Sequence, residues 1–244
     1  MKFYNFFAIA LISFLLFACS TKTAILMDEY KDNKLSGKDL AIVKAFENPS
    51  IINYDDVTDD LGSGVPEEVY MAFFKLNFID AFKSNTSLKE IKFIDKFSKT
   101  GLTEKVLDIS DEDKIRAYLP SEGNIIDSLK SDFILFLYGI NSSRVAGQTG
   151  SYVNGAYIGG SFGKLYQQIS FALWDNVKGK VVSYGRVDDD SSIIFGMTKG
   201  HWESIVNSLA MKLIRLSPFK IVHPSQKWII AISCSTNFYL QIIF

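Results

Sequence analysis

The stretch Ser131-Asp-Phe-Ile-Leu-Phe-Leu-Tyr-Gly139 contains an uninterrupted run of large apolar and aromatic side chains between an aspartate and a glycine. A short run of this kind, without polar alternation, predicts a strand that is buried on both faces. Residues 39–46 contain a second such run, Leu40-Ala-Ile-Val43, and the break Glu47-Asn-Pro-Ser50 follows it. The two runs together predict the centre of a β-sheet.

Three further strands are predicted around this centre. Residues 88–97 alternate apolar and charged side chains, which is typical of a half-buried strand. Residues 167–175 and 180–188 flank Asn176-Val-Lys-Gly179, and this spacing predicts two strands joined by a hairpin turn.

Residues 51–64 are predicted to be an acidic loop that ends in Gly62-Ser-Gly64.

Two long helices are predicted from apolar residues at helical spacing. The first covers residues 66–84, with Pro66 at its first position and a wide Phe-rich stripe that includes Leu76. A helix packed on a sheet is the favoured interpretation of that stripe, and a groove for a partner or lipid is the alternative. The last helix presents apolar residues at i, i+3, i+4, i+7, i+8 and i+11 from Trp202. Two shorter helices are expected at 111–118 and 123–130.

These elements predict an α/β fold with a single mixed β-sheet packed with helices, in the order strand, helix, strand, helix, strand, hairpin, helix. We expect one α/β domain over residues 38–219. The apolar segment 220–244 is atypical for this domain, and it is interpreted either as an added strand pair or as foreign sequence.

The N-terminal sequence predicts where the protein is located and not which reaction it carries out. Lys2 precedes an apolar run over residues 6–17, and Leu16-Phe17-Ala18-Cys19 resembles the lipobox of bacterial lipoproteins. Residues 1–18 are then a signal peptide cleaved between Ala18 and Cys19, Cys19 carries the lipid, and residues 19–37 form a tether. An uncleaved anchor helix and an ordinary secretory signal are the alternatives. Ser20, directly after the cysteine, resembles the sorting signal of lipoproteins that are sent to the outer membrane.

Composition limits the classes of function. The chain has 26 basic and 27 acidic residues, so no basic excess indicates nucleic acid binding. Its two cysteines, Cys19 and Cys234, give neither a disulfide framework nor a cysteine-based zinc site if Cys19 is lipidated.

No catalytic, metal-binding or cofactor-binding set is predicted. His201 and His223 have no second ligand at metal spacing. The run Asp188-Asp-Asp190 is interpreted as part of a polar, solvated loop, because it lacks the alternating carboxylates of a calcium loop.

Residues 147–163 are the strongest candidate for contact with a partner. The segment is long for a connection, and Tyr152, Tyr157 and Phe162 stand among small residues in a composition suited to recognition. A Gly-rich loop or a flat β excursion without a binding role is the alternative interpretation.

Four local patterns over residues 38–219 resemble one family. They are Leu40-Ala-Ile-Val-Lys-Ala-Phe-Glu-Asn48, the stretch 131–139, the strand–turn–strand from Phe171 to Tyr184, and the ending Leu213-Ile-Arg-Leu-Ser-Pro218. The chain is similar to the lipoprotein domain shared by penicillin-binding-protein activators of the LpoB type, the curli secretion lipoprotein and the N-terminal domain of TolB-like proteins. Residues 98–122 match nothing clear in that family.

The lipobox and the absent catalytic set predict a non-enzymatic, lipid-anchored envelope protein, and the charge balance predicts no nucleic acid partner. The resemblance implies that its domain faces the periplasm and binds an envelope protein, either a cell-wall synthase or a secretion assembly. An oligomeric secretion or pore-assembly component is the alternative. An envelope hydrolase is the least favoured of the three hypotheses.

Overall fold

A computed structural model describes residues 23–32, 34–52, 54–153, 156–193 and 197–222. The strands of this part of the chain are β1 (Ala24–Leu26), β2 (Asp39–Lys44), β3 (Ser50–Ile51), β4 (Glu90–Ile94), β5 (Thr103–Asp108), β6 (Lys114–Leu119), β7 (Phe133–Val153), β8 (Ala156–Asp175) and β9 (Lys180–Ile193). The α-helices are α1 (Tyr54–Leu61), α2 (Pro66–Asn85) and α3 (Lys199–Arg215), and Asp28–Tyr30 and Asp127–Leu129 form single 3-10 turns.

One mixed sheet organises the molecule, as the sequence predicts. Its strand order is β1-β9-β8-β7-β2-β4, with β3 paired to β7 further along. The strands β2 and β4, and likewise β2 and β7, run parallel, whereas β7, β8 and β9 form an antiparallel meander. The turn at residues 176–179 joins β8 to β9 at the predicted position.

The sheet is covered on both faces where the two apolar runs lie. In β7, Phe133, Leu135 and Leu137 belong to the core on the helix side, while Ile134 and Phe136 belong to a second core on the opposite side. Successive residues of a strand point to opposite faces. The continuous run of apolar residues therefore reflects two cores, one on each face.

The two long helices cover one face. Helix α2 buries Tyr70, Phe74, Phe78, Ala81 and Phe82, and α3 buries every residue of its predicted stripe, so packing on the sheet is confirmed for both. Leu76 is the exception to the predicted stripe of α2, because its side chain is 63% exposed.

The second face is covered by a small antiparallel hairpin, which corrects the predicted helix at 111–118. Strand β6 alternates, with Ile115, Ala117 and Leu119 buried against the sheet and Lys114 and Arg116 exposed. This period of two is a strand pattern. The middle helix of the predicted order is therefore replaced by β5 and β6.

The predicted helix at 123–130 is reduced to the 3-10 turn Asp127–Leu129. Asn176 provides the reason, because its side-chain oxygen accepts the backbone N–H of Ile126 at 2.7 Å. In addition, Gly123 approaches Gly179 so closely that a Cβ on Gly179 would lie 2.6 Å from the Gly123 backbone.

Residues 54–61 form helix α1, which corrects the predicted acidic loop. Val57 is fully buried, and two of the aspartates have partners on other elements. Asp56 pairs with Arg144 at 2.9 Å, and Asp60 accepts the indole N–H of Trp202 at 3.0 Å. This acidic segment is therefore a helix, and the ion pair of Asp56 and the hydrogen bond of Asp60 hold it against the rest of the domain.

The predicted tether at 19–37 is also corrected over its described part. Strand β1 pairs with β9, Tyr30 is buried, and its hydroxyl donates to Asp175 at 2.9 Å. Gly185 allows this pairing, because a Cβ there would lie 2.4 Å from the Cα of Ala24. Ordered structure therefore begins well before residue 38.

Of the segment 220–244, the structure describes only residues 220–222. Ile221 forms a bridge with Thr86, and the backbone N–H of Val222 donates to Asn85 at 3.0 Å. The prediction for the rest of the segment lies outside the described residues.

Candidate functional site

The segment 147–163 lies in a β-hairpin, which agrees with the β excursion that the sequence left as an alternative and corrects the interpretation as a long loop. Strands β7 and β8 stay in register from Ala146 opposite Gly163 to Val153 opposite Ala156. The glycines hid these strands from the sequence, because glycine is depleted in strands. We call residues 146–153 and 156–162 the ribbon.

The ribbon extends past the rest of the sheet. Within the described residues, no strand pairs with β7 beyond Ser142, where β3 ends, and none pairs with β8 before Gly163, where β9 ends at Ile193. Both outer edges of the ribbon therefore present backbone N–H and C=O groups that the described chain leaves without a neighbouring strand. Such edges are templates for pairing with another chain.

The register separates the three predicted contact residues. Tyr152 lies directly opposite Tyr157, and Phe162 lies opposite Gly147. Because directly opposed residues share a face and faces alternate along a strand, the two tyrosine positions share one face, and the Phe162 position lies on the other. The sequence singled out these residues but did not predict this pairing.

Ion pairs hold the base of the ribbon on the domain. Arg144, just before the ribbon, pairs with Asp56 of α1 at 2.9 Å, and Lys164, just after it, pairs with Asp190 of β9 at 3.1 Å. The half-buried Asp189 also pairs with Lys212 of α3 at 3.2 Å. The run 188–190 therefore lies in strand β9 and contacts α3, which corrects the predicted solvated loop.

The edge strand β4 differs from the ribbon in its charge. Lys89 and Glu90 are exposed, Lys92 pairs with Glu90 at 3.3 Å, and Lys75 of α2 pairs with Asp95 at 2.6 Å. Charged residues on an edge strand oppose pairing with another chain. The ribbon has no such protection in its sequence, since residues 145–163 contain no charged residue.

A cleft of about 570 Å³ lies on the second face of the sheet. Its walls are the irregular segments on either side of the β5–β6 hairpin, and its floor is apolar, formed by residues such as Ile94, Phe97 and Leu102. Ile125 stands at the cleft with 53% of its side chain exposed. The sequence did not predict this cleft, because both walls were assigned to helices or left unassigned.

Two buried tyrosines and His201 are titratable groups whose contacts lie within the fold. Burial raises the pKa of the Tyr70 hydroxyl well above its usual value, and burial followed by the hydrogen bond to Asp175 does the same for Tyr30. His201 Nδ1 accepts the backbone N–H of Thr198 at 3.2 Å, at the start of α3. Within the described ranges, no three His, Cys, Asp or Glu side chains meet in a geometry that would hold a metal ion.

Ala18, Cys19 and His223 lie outside the described residues, and the lipid-attachment prediction is not tested by the structure. Among the residues that are described, no helix is long and apolar enough to span a membrane.

Comparison with known proteins gives a distant likeness of fold. No family model matches the chain, and no curated protein matches it. Among solved structures, a PelC dodecamer from Paraburkholderia phytofirmans matches at 9% identity with a TM-score of 0.37, covering 80% of this chain and 98% of that one.

Two other structures are similarly distant. A neuraminyllactose-binding hemagglutinin homolog from Helicobacter pylori matches at 9% identity and a TM-score of 0.35, covering 75% and 85% of the two chains. A minor lipoprotein from Acinetobacter baumannii matches at 9% identity and a TM-score of 0.30, covering 73% and 91%. At these scores the likeness carries no inference about function.

Proposed function

We propose that the chain is a lipid-anchored protein of the cell envelope that acts by binding another protein, which adds a strand to an edge of the ribbon. The observation that carries this proposal is the pair of ribbon edges, beyond Ser142 and Gly163, with which no strand among the described residues pairs. The lipobox-like sequence that ends at Cys19 supports the envelope location, and Ser20 supports the outer membrane.

The backbone chemistry of the edge suits a reversible partner. In an antiparallel pair, alternate residues direct both backbone groups away from the partner strand, so an eight-residue edge offers roughly eight hydrogen bonds. At about 0.5–1.5 kcal/mol each, these bonds are comparable with the cost of association, about 4–15 kcal/mol. Side chains of the partner are therefore needed for affinity and specificity.

A non-enzymatic role forms part of the same proposal. The charged residues at the base of the ribbon, Arg144, Lys164 and Asp189, are engaged in ion pairs with neighbouring elements. Groups held in this way stabilise the position of the ribbon.

The anchor is tested by metabolic labelling with a clickable fatty acid. Wild-type protein is expected to be labelled, and Cys19→Ala is expected to lose the label. Equal labelling of the two proteins would refute the anchor.

The contact is tested by affinity capture of the full-length, lipidated protein from its own detergent-solubilised envelope. In one variant, residues 147–162 are replaced by Asn-Gly, which closes a two-residue turn on the pair Ala146 and Gly163. The matched control is Val106→Ser, which changes a residue of β5 that is 59% exposed. The partner should be lost from the shortened variant and retained by the control; an unchanged set of captured proteins would contradict the proposal.

A second copy of the chain is the alternative partner, because the ribbon carries two open edges and one copy can pair with the opposite edge of another. This arrangement corresponds to an oligomeric assembly component. Detergent-stable multimers on native gels that disappear in the shortened variant would favour it over binding of a different protein.

A further inference from the structure

The direction of β1 shows from which end the chain enters the sheet. Strand β1 runs antiparallel to β9, with Leu26 opposite Ser183 and Ala24 opposite Gly185. The next rung is the hydrogen bond from the Arg186 N–H to the Thr23 carbonyl at 2.7 Å. Traced backwards, the chain therefore follows β9 toward Ile193, which pairs with Gly163 at the base of the ribbon.

The connection to the proposed anchor is short. Only residues 20–22 separate Cys19 from Thr23. Even fully extended, this stretch spans about 14 Å, at no more than about 3.6 Å per residue. A lipid on Cys19 would hold Thr23 within that distance of the membrane surface, whereas a tether reaching to residue 37 would have allowed the domain to move far from it.

The ribbon reaches further toward the same end than this connection does. At about 3.4 Å per residue, β9 runs about 27 Å from the level of Gly185 to Ile193, and β8 adds about 24 Å from Gly163 to Ala156. The ribbon thus extends about 51 Å past the level of Gly185, while Thr23 is held within about 14 Å of the surface. A ribbon directed toward the membrane must then lie along the surface, with one of its faces against it.

The sequence of the ribbon suits such a surface. Its residues carry no charge, and the Val153, Ile158 and Phe162 positions all lie on one face by the alternation of the strands. That face is opposite to the helices, because Ile140 and Leu165 set the helix side of β7 and β8. Tyrosine positions 152 and 157 lie on the other face.

We infer that the ribbon face with Val153, Ile158 and Phe162 contacts the lipid bilayer at its interface. This inference rests on the proposed lipid anchor at Cys19, and it concerns the face of the ribbon, whereas the proposed partner adds to the edges. Arg144 and Lys164 at the base of the ribbon are paired with Asp56 and Asp190 of the domain, so only the uncharged part of the hairpin beyond them is available, and we place the contact in one leaflet.

Tryptophan fluorescence tests the contact. Full-length lipidated protein is reconstituted into vesicles of phosphatidylethanolamine and phosphatidylglycerol, with or without brominated acyl chains that quench tryptophan. Three variants are compared with the wild type: Ile158→Trp on the apolar face, Tyr157→Trp on the opposite face, and Leu76→Trp as a control on α2, where the side chain is 63% exposed on the helix side of the sheet. Circular dichroism establishes that each variant is folded.

We expect a blue shift and a loss of emission with brominated lipid for Ile158→Trp, a smaller loss for Tyr157→Trp, and no change beyond wild type for Leu76→Trp. Quenching of Ile158→Trp no greater than that of Leu76→Trp would overturn the contact. Equal quenching at 157 and 158 would overturn the assignment of the face.

The fatty-acid labelling distinguishes failure of the lipid anchor from failure of the bilayer contact. If Cys19 carries no lipid, the proposed anchor and the bilayer contact both fail. If Cys19 is lipidated and Ile158→Trp is not quenched, only the bilayer contact fails, and the proposed binding of a protein at the ribbon edges stands.

Discussion

Replacement of Gly185 by alanine is expected to displace β1 from the edge of the sheet. Gly185 has a φ of +144°, a backbone conformation that costs other residues about 1–3 kcal/mol. The new methyl group would also lie 2.5 Å from the Thr23 carbonyl oxygen and 2.4 Å from the Cα of Ala24. Both contacts are with the backbone, so no side-chain rotation relieves them.

Release of β1 is the cheaper way to remove this overlap. It breaks hydrogen bonds such as Arg186 to Thr23 and Met27 to Val182, worth about 0.5–1.5 kcal/mol each, but it returns backbone entropy of about 1–2 kcal/mol per released residue. We therefore expect Gly185→Ala to lower the free energy of unfolding by about 1–3 kcal/mol, well within the about 5–15 kcal/mol of a typical domain.

Two measurements check this expectation on the full chain. Urea unfolding gives the loss of stability, and hydrogen exchange should show that the amides of residues 24–27 lose their protection. Gly139→Ala is the control, because a Cβ at Gly139 meets no atom within 4 Å. Equal stability of the two variants, with unchanged exchange in β1, would refute the steric argument.

Other predictions concern the buried polar groups. Tyr70→Phe removes the hydroxyl that accepts the side-chain N–H of Gln167 and should cost about 1–3 kcal/mol, whereas adding Gln167→Leu should recover most of that loss; equal instability of the single and double variants in urea would contradict this. Because the pKa values of Tyr30 and Tyr70 are raised in the folded state, the unfolded chain loses these protons first, and the contribution of these two groups to stability should be constant below about pH 10 and fall above it. Unfolding titrations at rising pH measure the fall, which should be shallower for Tyr30→Phe. Trp202→Phe should cost more than the about 1–3 kcal/mol of the lost indole donor to Asp60, because it also leaves a cavity at a buried side chain, and Asp60→Asn, which keeps a carbonyl acceptor, should cost less in the same assay.

The sequence predicted the elements whose burial leaves a repeating pattern. Helix α3 and the strand pair β2 and β7 were found because their apolar residues follow a helical period or an unbroken run. These elements contribute to the two cores, and burial in a core is what a repeating or unbroken apolar pattern indicates most directly. The mixed sheet with helices followed from them.

The missed elements are held by contacts between distant residues. Helix α1 depends on Asp56 with Arg144 and Asp60 with Trp202, pairs separated by 88 and 142 residues. The turn before β7 depends on Asn176, which is 50 residues from its partner Ile126. Local propensity contains no trace of such partners, so a loop was predicted for the first segment and a helix for the second.

The candidate site was located in part. Its composition singled out residues 147–163, but the glycines that suggest recognition also weaken the strand signal, so the ribbon and its open edges were not predicted. The cleft between residues 94–102 and 120–129 depends on how the β5–β6 hairpin packs, and no local pattern encodes that arrangement.

The three-residue strand β1 has a mechanical consequence. Its hydrogen bonds to β9 lie perpendicular to the strand, and a pull on the N-terminus along the strand axis loads them all at once. A pull away from the sheet loads them one at a time, beginning at Thr23. We therefore expect β1 to stay paired with β9 under tension directed along β9 and to detach from it under tension directed across the sheet. The mechanical resistance of this N-terminal connection depends on the direction of the force.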